Sequence, residues 1–573
     1  MREAPHHLSD VGRPLPLWTL YPLLFVGVYI SHLTLLRLPY FWDEAGYYIP
    51  AALDLFRTGS LIPQTTLTNA HPPLPSLLLA GWWHLAGYAV WNTRVFICMV
   101  SAAALLGAFR LARELAGPVT GAVVVLLTAL YPVWFAQSTL AHADIFAAAF
   151  TLWALSVYFE HRERPRYLLA AVLFSLAALA KETAIVTPGA LALWELVQIV
   201  SSQPRKPVIL SEAKDPRILP GAAQNFEAGA KADPTENKQQ RNTGVLHSVQ
   251  DDEHSSAGWR WIATLLAPIL PLAFWYAYHF HKTGFIFGNP EFLRYNATAN
   301  LGPLRILLSL WHRAVHLTLH MNLFVPAACA AAVLLMPRLA GRTLSKQVVT
   351  TLAVILLGNG IAFSILGGAL LTRYLLPMYP LVLLLCVVVW RERFAQWWVL
   401  AGLTTVGFLA ALWINPPYVF SPEDNLSYRD MIVVHQQAAA VLTKQFPLAT
   451  VLTAWPATQE LARPELGYVR QPFKVAPIEN FSAGEIERAA QDPGGYDTAL
   501  VFSTKCVPAP GMMNLARMNE GADTRFFDFH RDLPPKGVAA ILHGDVVWQA
   551  TRGCESAAIL RFPRAVDAEL RMP

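Results

Sequence analysis

Asp43 and Glu44 stand side by side in Phe41-Trp42-Asp43-Glu44-Ala45-Gly46-Tyr47-Tyr48, directly after the first long apolar run. Two carboxylates there could take a proton from an attacking hydroxyl or steady positive charge on a reacting carbon. They could also cap a helix, with Asp43 accepting N–H bonds, Glu44 favouring the positive helix end and Gly59 closing it. Capping does not explain setting both acids between aromatics at a bilayer surface, where desolvation is costly. His142-Ala143-Asp144 opens a later apolar run and offers a third acid, or an N-cap.

Groups that could hold an anion recur along the chain. His71 lies in Asn69-Ala70-His71-Pro72-Pro73-Leu74, where the diproline imposes an extended turn; as a lone residue it reads first as a surface histidine. Lys181-Glu182 ends another apolar run, and Lys181 could snorkel or pair with its neighbour. Arg373 begins Arg373-Tyr374-Leu375-Leu376-Pro377. An anion is the natural partner of such a guanidinium, and a lipid phosphate would supply one.

The elements that must position these groups are membrane spans. Of 573 residues, 54% are hydrophobic and only 14% are charged, with a mean hydropathy of +0.36. Soluble domains carry about 25% charged residues, so the chain reads as an integral membrane protein with some water-soluble mass. A net charge of +5 is too mild to suggest a nucleic-acid partner. Apolar runs of spanning length occur near 17–36, 93–112, 118–138, 144–160, 166–181, 184–200, 259–280, 306–336, 347–371, 374–390 and 397–414, about eleven in all. The first lacks a small-residue cleavage site and is expected to stay as a span. The basic clusters Arg110/Arg113, Arg162/Arg164/Arg166, Arg205/Lys206, Arg338/Arg342/Lys346 and Arg391/Arg393 fall in alternate loops. Placing them all in the cytoplasm leaves the N-terminus inside and the C-terminus outside, in the inner (plasma) membrane.

Residues 38–92 then form a long outer loop, whose stretch 74–91 reads as an interfacial helix. Residues 201–257 are polar and lack an apolar period, as a disordered cytoplasmic insert would. The polar loop 281–303, with Arg294, Tyr295 and Asn296, could cover an outer cavity or simply connect two spans. Residues 415–573 alternate helix-like stretches (430–445, 456–467, 483–491) with strand-like ones (449–455, 498–503, 538–543, 545–550), so a small extracytoplasmic α/β domain is expected beyond a helical domain of residues 1–414. Cys506 and Cys554 lie there and could pair in an oxidising compartment. Cys98, Cys329 and Cys386 lie in apolar runs and read as packed thiols.

An acidic pair after the first span, a Pro-Pro-Leu segment, an Asp opening the fourth span and a late Arg-Tyr element with a following proline occur here in that order. Together they resemble the membrane-embedded GT-C glycosyltransferases, specifically the protein O-mannosyltransferase and aminoarabinose-transferase group (glycosyltransferase family 39-like). The resemblance covers residues 17–414 without the insert. It implies a polytopic helical fold and transfer from a polyprenyl-phosphate-linked sugar donor, with membrane lipid around the site and a lipid, glycan or protein as acceptor. Asp43 matches the family's catalytic acid, Glu44 its neighbour and Asp144 a second acid. His71 falls where relatives carry a basic residue, and a His in place of Lys weakens the case for phosphate binding there. Lys181 (with Glu182 beside it), Arg373 and Tyr374 match positions near the lipid phosphate. Some relatives hold a divalent metal near the acids; no firm ligand set stands out, and the metal question stays open.

A transporter or flippase of a lipid-linked substrate would also show many spans. It should place its ionisable residues near the bilayer midplane, often within repeated halves. Here they sit at outer helix ends, and no internal repeat is evident. A scaffold that only displayed residues 415–573 would leave Asp43 and Arg373 without a role.

Overall fold

The structure, a computed structural model, describes residues 17–66, 68, 70–160, 165–202, 256–288, 301–339, 343–366, 370–508, 520–527 and 530–562. Most of the 201–257 insert and the centre of the 281–303 loop lie outside the described residues.

The apolar runs form helices because long uninterrupted hydrophobic segments can satisfy their backbone only internally. Val90–Ala116, Glu182–Ser201, Ser256–Thr283, Lys346–Ile365 and Thr372–Arg393 are long and apolar enough to cross a membrane. Thr19–Ser31, Pro118–Leu130, Ala143–Phe159, Tyr167–Ala180 and Trp397–Ala411 are shorter apolar helices. Val90–Ala116 packs against Ala143–Phe159 and Pro118–Leu130. A small residue sets one approach: a Cβ on Gly107 would lie 2.9 Å from the Trp153 ring, so the two helices close over that glycine.

Two expected spans are broken. The run at 118–138 ends as a helix at Leu130 and resumes as Pro132–Gln137. Pro132 cannot donate to the preceding turn and pushes Tyr131 to an extended ψ of 124°. The run at 306–336 splits into Pro303–Asn322 and Phe324–Leu334, bent by 99°. Met321 and Asn322 stand at positive φ in the break (47° and 65°). The stretch expected at 74–91 is a helix over Leu74–Ala86, closed by Gly87 at φ 79°.

The C-terminal part carries a five-stranded sheet in the order β2-β1-β3-β5-β4. The strands are β1 (Thr450–Ala454), β2 (Lys474–Ile478), β3 (Thr498–Phe502), β4 (Asp545–Arg552) and β5 (Glu555–Arg561). β1 lies parallel to β2 and β3, while β5 runs antiparallel to β3 and β4. β3 is buried along its length, as a central strand covered on both faces should be, and β4 alternates between half-buried and exposed positions, as an edge strand does. The stretch 538–543, expected as a strand, belongs instead to helix Pro535–Ile541, with Pro535 pre-set for its first turn. β2 and β5 escape the sequence reading. Pro477 inside β2 argues against a strand, yet is tolerated because β2 is an edge. Cys506 and Cys554 form a disulfide, and Cys98, Cys329 and Cys386 are free.

The two halves interlock. Phe41, Phe135 and Leu140 pack into the apolar core around the sheet, while Phe420 and Leu466 pack into the helical core.

Candidate active site

Asp43 precedes a single wide turn, Glu44–Tyr48, but its side chain makes no capping bond. It accepts instead from Nη2 of Arg373. Of the acids around Arg373, Asp43 keeps the most solvent contact, its side chain 17% exposed against 3% for Asp144 and 2% for Glu423.

Glu44 is fully buried and has a different task. Its carboxylate takes a two-pronged pair of bonds from Arg94 (2.8 and 2.9 Å) and backbone N–H bonds from Phe41 (2.8 Å) and Ala141 (2.5 Å). Arg94 donates further to the carbonyls of Pro39 (2.7 Å) and Thr139 (2.6 Å). Such a fully bonded fork is what makes a buried ion pair tolerable, and it ties the Asp43 loop to the loop before Asp144. The sequence reading overlooked Arg94; its signal was a cation at the outer end of an apolar run.

Arg373 is the hub. Its Nη1 donates to Glu423, its Nη2 to Asp43, and its Nε lies 3.4 Å from Asp144. Asp144 also accepts from Lys181 at 2.6 Å, and the Lys181 ammonium sits 3.9 Å from the Tyr374 ring centre. Asp144 is therefore no N-cap: His142 holds the cap position and neither side chain caps. Lys181 does not pair with Glu182, whose partner is His71 at 2.9 Å. Lys181 is extended (φ −151°, ψ 126°), and extended backbone sends successive side chains to opposite sides.

Glu423 was not foreseen. It sits in the short turn Pro422–Asp424, outside the segment that carries the resemblance, and reaches Arg373 because Asp424 is held by Thr372 and by His320 (3.0 Å). The signal was present: two acids follow the last apolar run as Asp43 and Glu44 follow the first. Burial pushes the Glu423 carboxyl up to about 8, with Arg373 opposing and the neighbouring acids reinforcing. His142, buried between Gln137 (2.9 Å) and Arg373, is held well below its usual value, first by burial and then by Arg373 and Lys181. It stays neutral at pH 7.

His71 and Glu182 form a second cluster beside the first, joined through Tyr48, whose ring lies 5.8 Å from His71 and 6.1 Å from His142. A cleft beside it is lined by Tyr47, Tyr48, His71, Pro72, Pro73 and Trp275. The sheet closes the other flank. Trp455, just past β1, packs on Trp42 and Tyr47 at 5.0 and 5.6 Å. A Cβ on Gly46 would fall 2.4 Å from its Nε1, so only glycine permits this approach.

For a divalent metal the donor set does not fit. The one compact group of His, Cys, Asp and Glu ligand atoms among the described residues is Cys506, Cys554 and Glu555, and both sulfurs are in the disulfide. Between Asp43, Asp144 and Glu423 the Arg373 guanidinium stands where a cation would have to sit.

Residues 70–210 match the family model of dolichyl-phosphate-mannose-protein mannosyltransferases. No curated protein matches the chain. Among solved structures the chain is similar to ArnT from Cupriavidus metallidurans. In the apo state that likeness has a TM-score of 0.51 at 12% identity, over 95% of this chain and 98% of that one. In the form bound to undecaprenyl phosphate it has a TM-score of 0.50 at 13% identity, over 94% and 97%. At such identities the likeness is one of fold. Family match and fold agree with the resemblance read from the motifs: residues 70–210 are similar to that mannosyltransferase family, and the chain as a whole shares the polytopic fold of ArnT.

Proposed function

We propose that this protein is a glycosyltransferase that moves a sugar from a polyprenyl-phosphate donor to a lipid, glycan or protein acceptor at the outer face of the cytoplasmic membrane, with Asp43 as the reacting acid. The observation that carries the reading is the gathering of Asp43, Asp144 and Glu423 on one guanidinium, with Asp43 as the member left facing out. The match to ArnT, solved with undecaprenyl phosphate, supports the donor class.

In the proposed reaction an acceptor oxygen bonds to the anomeric carbon as the bond from that carbon to the phosphate oxygen breaks. Asp43 takes the proton of an acceptor hydroxyl, which is worth about 10²–10⁴-fold. Attack opposite the leaving phosphate inverts the anomeric centre. With a phosphate acceptor no base is needed, and Asp43 orients the sugar and offsets its positive character. Arg373 positions Asp43 through its bond to Oδ2, Lys181 positions Asp144, and Glu44 with Arg94 holds the loop rigid. Near pH 7 a protonated Glu423 leaves two acids against Arg373 and Lys181, a neutral centre in a dry setting.

The test is glycosyl transfer in membranes from a panel of radiolabelled polyprenyl-phosphate sugars, wild type against Asp43→Asn at matched expression. One donor losing its label to an acceptor only with Asp43 present is the expected result. Equal transfer by the variant would remove Asp43 from the mechanism, and a transporter would be indifferent to the change.

A further inference from the structure

Glu423 reaches Arg373 from the linker between helix Trp397–Ala411 and the sheet, and linkers are ordinarily the most mobile backbone in a protein. Glu423 is nonetheless buried, as are Asp424 and Asn425 beside it. Something must grip this segment. Thr372 and His320 hold Asp424 from the helical side. On the other side lies the Cys506–Cys554 disulfide.

As a staple for the sheet the disulfide is poorly placed. Cys506 follows β3 and Cys554 stands in the turn before β5, and these two strands already pair from Thr498/Arg561 to Phe502/Ala557. The disulfide faces the other way: Cys506 packs in the helical core with Phe420, and Cys554 packs against that core. Cys506 and Phe420 exchange both backbone hydrogen bonds, at 3.3 and 3.1 Å, in an isolated antiparallel bridge just before the Pro422–Asp424 turn. Asn415, just past the last helix, donates its Nδ2 to both sulfurs at 3.3 Å. Its Oδ1 accepts from Asn425 Nδ2 at 2.9 Å, and Asn425 Oδ1 accepts from the Ser427 backbone at 2.9 Å. The linker is thus gripped on both sides of the turn, directly at Phe420 and through Asn415 at Asn425.

We infer that the Cys506–Cys554 disulfide, with Asn415, is a positioning device for the Arg373 centre: it presses the Pro422–Asp424 turn inward and keeps Glu423 on the guanidinium. Covalent closure matters because Glu423 resists its place. Its carboxyl is buried among Asp43, Asp144 and Asp424, with His142 at 3.9 Å and Arg373 as the opposing cation. Burial at that cost favours an opened turn with Glu423 in water, and hydrogen bonds alone hold a linker weakly against such local opening. The inference rests on the proposed function only in taking the Arg373 centre as the reacting one.

The test reads where Glu423 sits, using the full chain in detergent and the change Glu423→Gln in two backgrounds, native and Cys506→Ser/Cys554→Ser. Unfolding midpoints are compared between about pH 5 and pH 8. With the disulfide, Glu423 ionises against its burial as pH rises, so the glutamine form should gain several degrees on the glutamate form across that range. Without it both forms should unfold earlier and that gain should be lost, because Glu423 has moved to water. Removal of a mere staple would lower every midpoint and leave the gain intact, which would overturn the inference. A gain absent even with the disulfide would overturn it too, since Glu423 would then not be held dry. Should the double serine variant fail to fold, Asn415→Leu, which keeps the disulfide but cuts its link to Asn425, carries the comparison, with a smaller gain expected and an undiminished one contrary. Glu555, buried next to Cys554 and also pushed up to about 8, is common to both members of each pair and cancels. No arm measures transfer, so a negative result leaves the proposed function standing, and the Asp43→Asn assay decides that function separately.

Discussion

Arg373 and Asp43, 330 positions apart in the chain, meet through a bond from Nη2 to Oδ2 that joins the start of the helical part to its end. The same guanidinium takes Glu423 and Asp144, so its removal would leave buried Glu423 and half-buried Asp43 without this cation and Asp144 with Lys181 alone.

Arg373→Met is therefore expected to destabilise the protein by about 3–5 kcal/mol at pH 7, the penalty for unpairing buried charges. Thermal unfolding in detergent measures it, and acid pH should narrow the gap by neutralising the stranded acids. Lys at this position should rescue little, because an ammonium cannot reproduce the planar fork. A variant as stable as wild type at pH 7 would contradict the hub.

Glu44 and Arg94 form a closed pair, so either single change should cost about 3–5 kcal/mol while the double Glu44→Leu/Arg94→Met costs much less than the sum. A double-variant cycle on unfolding midpoints reads this directly. Additive losses would mean that the pair does not act as a unit.

Glu423 titrates near 8 when folded and near its ordinary carboxylate range when unfolded. The folded state thus binds the extra proton, and this group's contribution to stability is full below about 4.5 and is lost as pH rises through about 8. Glu423→Gln should flatten that part of the stability profile. An unchanged slope between wild type and variant would mean that Glu423 ionises normally.

Gly46→Ala should push Trp455 off the Asp43 loop and cost about 1–3 kcal/mol by overpacking. Trp455→Ala in the same chain should absorb most of that penalty. The four-variant comparison of unfolding temperatures checks it, with no coupling between the two sites as the contrary result.

Much of this protein was legible in its residues alone. Apolar length dictates helices, because a backbone in hydrocarbon has no other partner for its polar groups, and the acids and cations that gather around Arg373 sit near where those runs end. Asp43, Asp144, Lys181 and Arg373 could be picked out for that reason, and the alternation of patterns beyond 414 announced a sheet. What one chain read in order could not decide is who pairs with whom. Lys181 beside Glu182 suggests a local pair, yet extended backbone turns the two apart and helix packing delivers Asp144 and His71 instead. Glu423 and Arg94 stand at the ends of apolar runs like the others, but what each does is set by a distant partner, Arg373 for Glu423 and Glu44 for Arg94. Only the packed tertiary structure sets distances across the chain, and at buried sites a few ångströms decide whether a charge is a reacting group, a brace or a waiting contact.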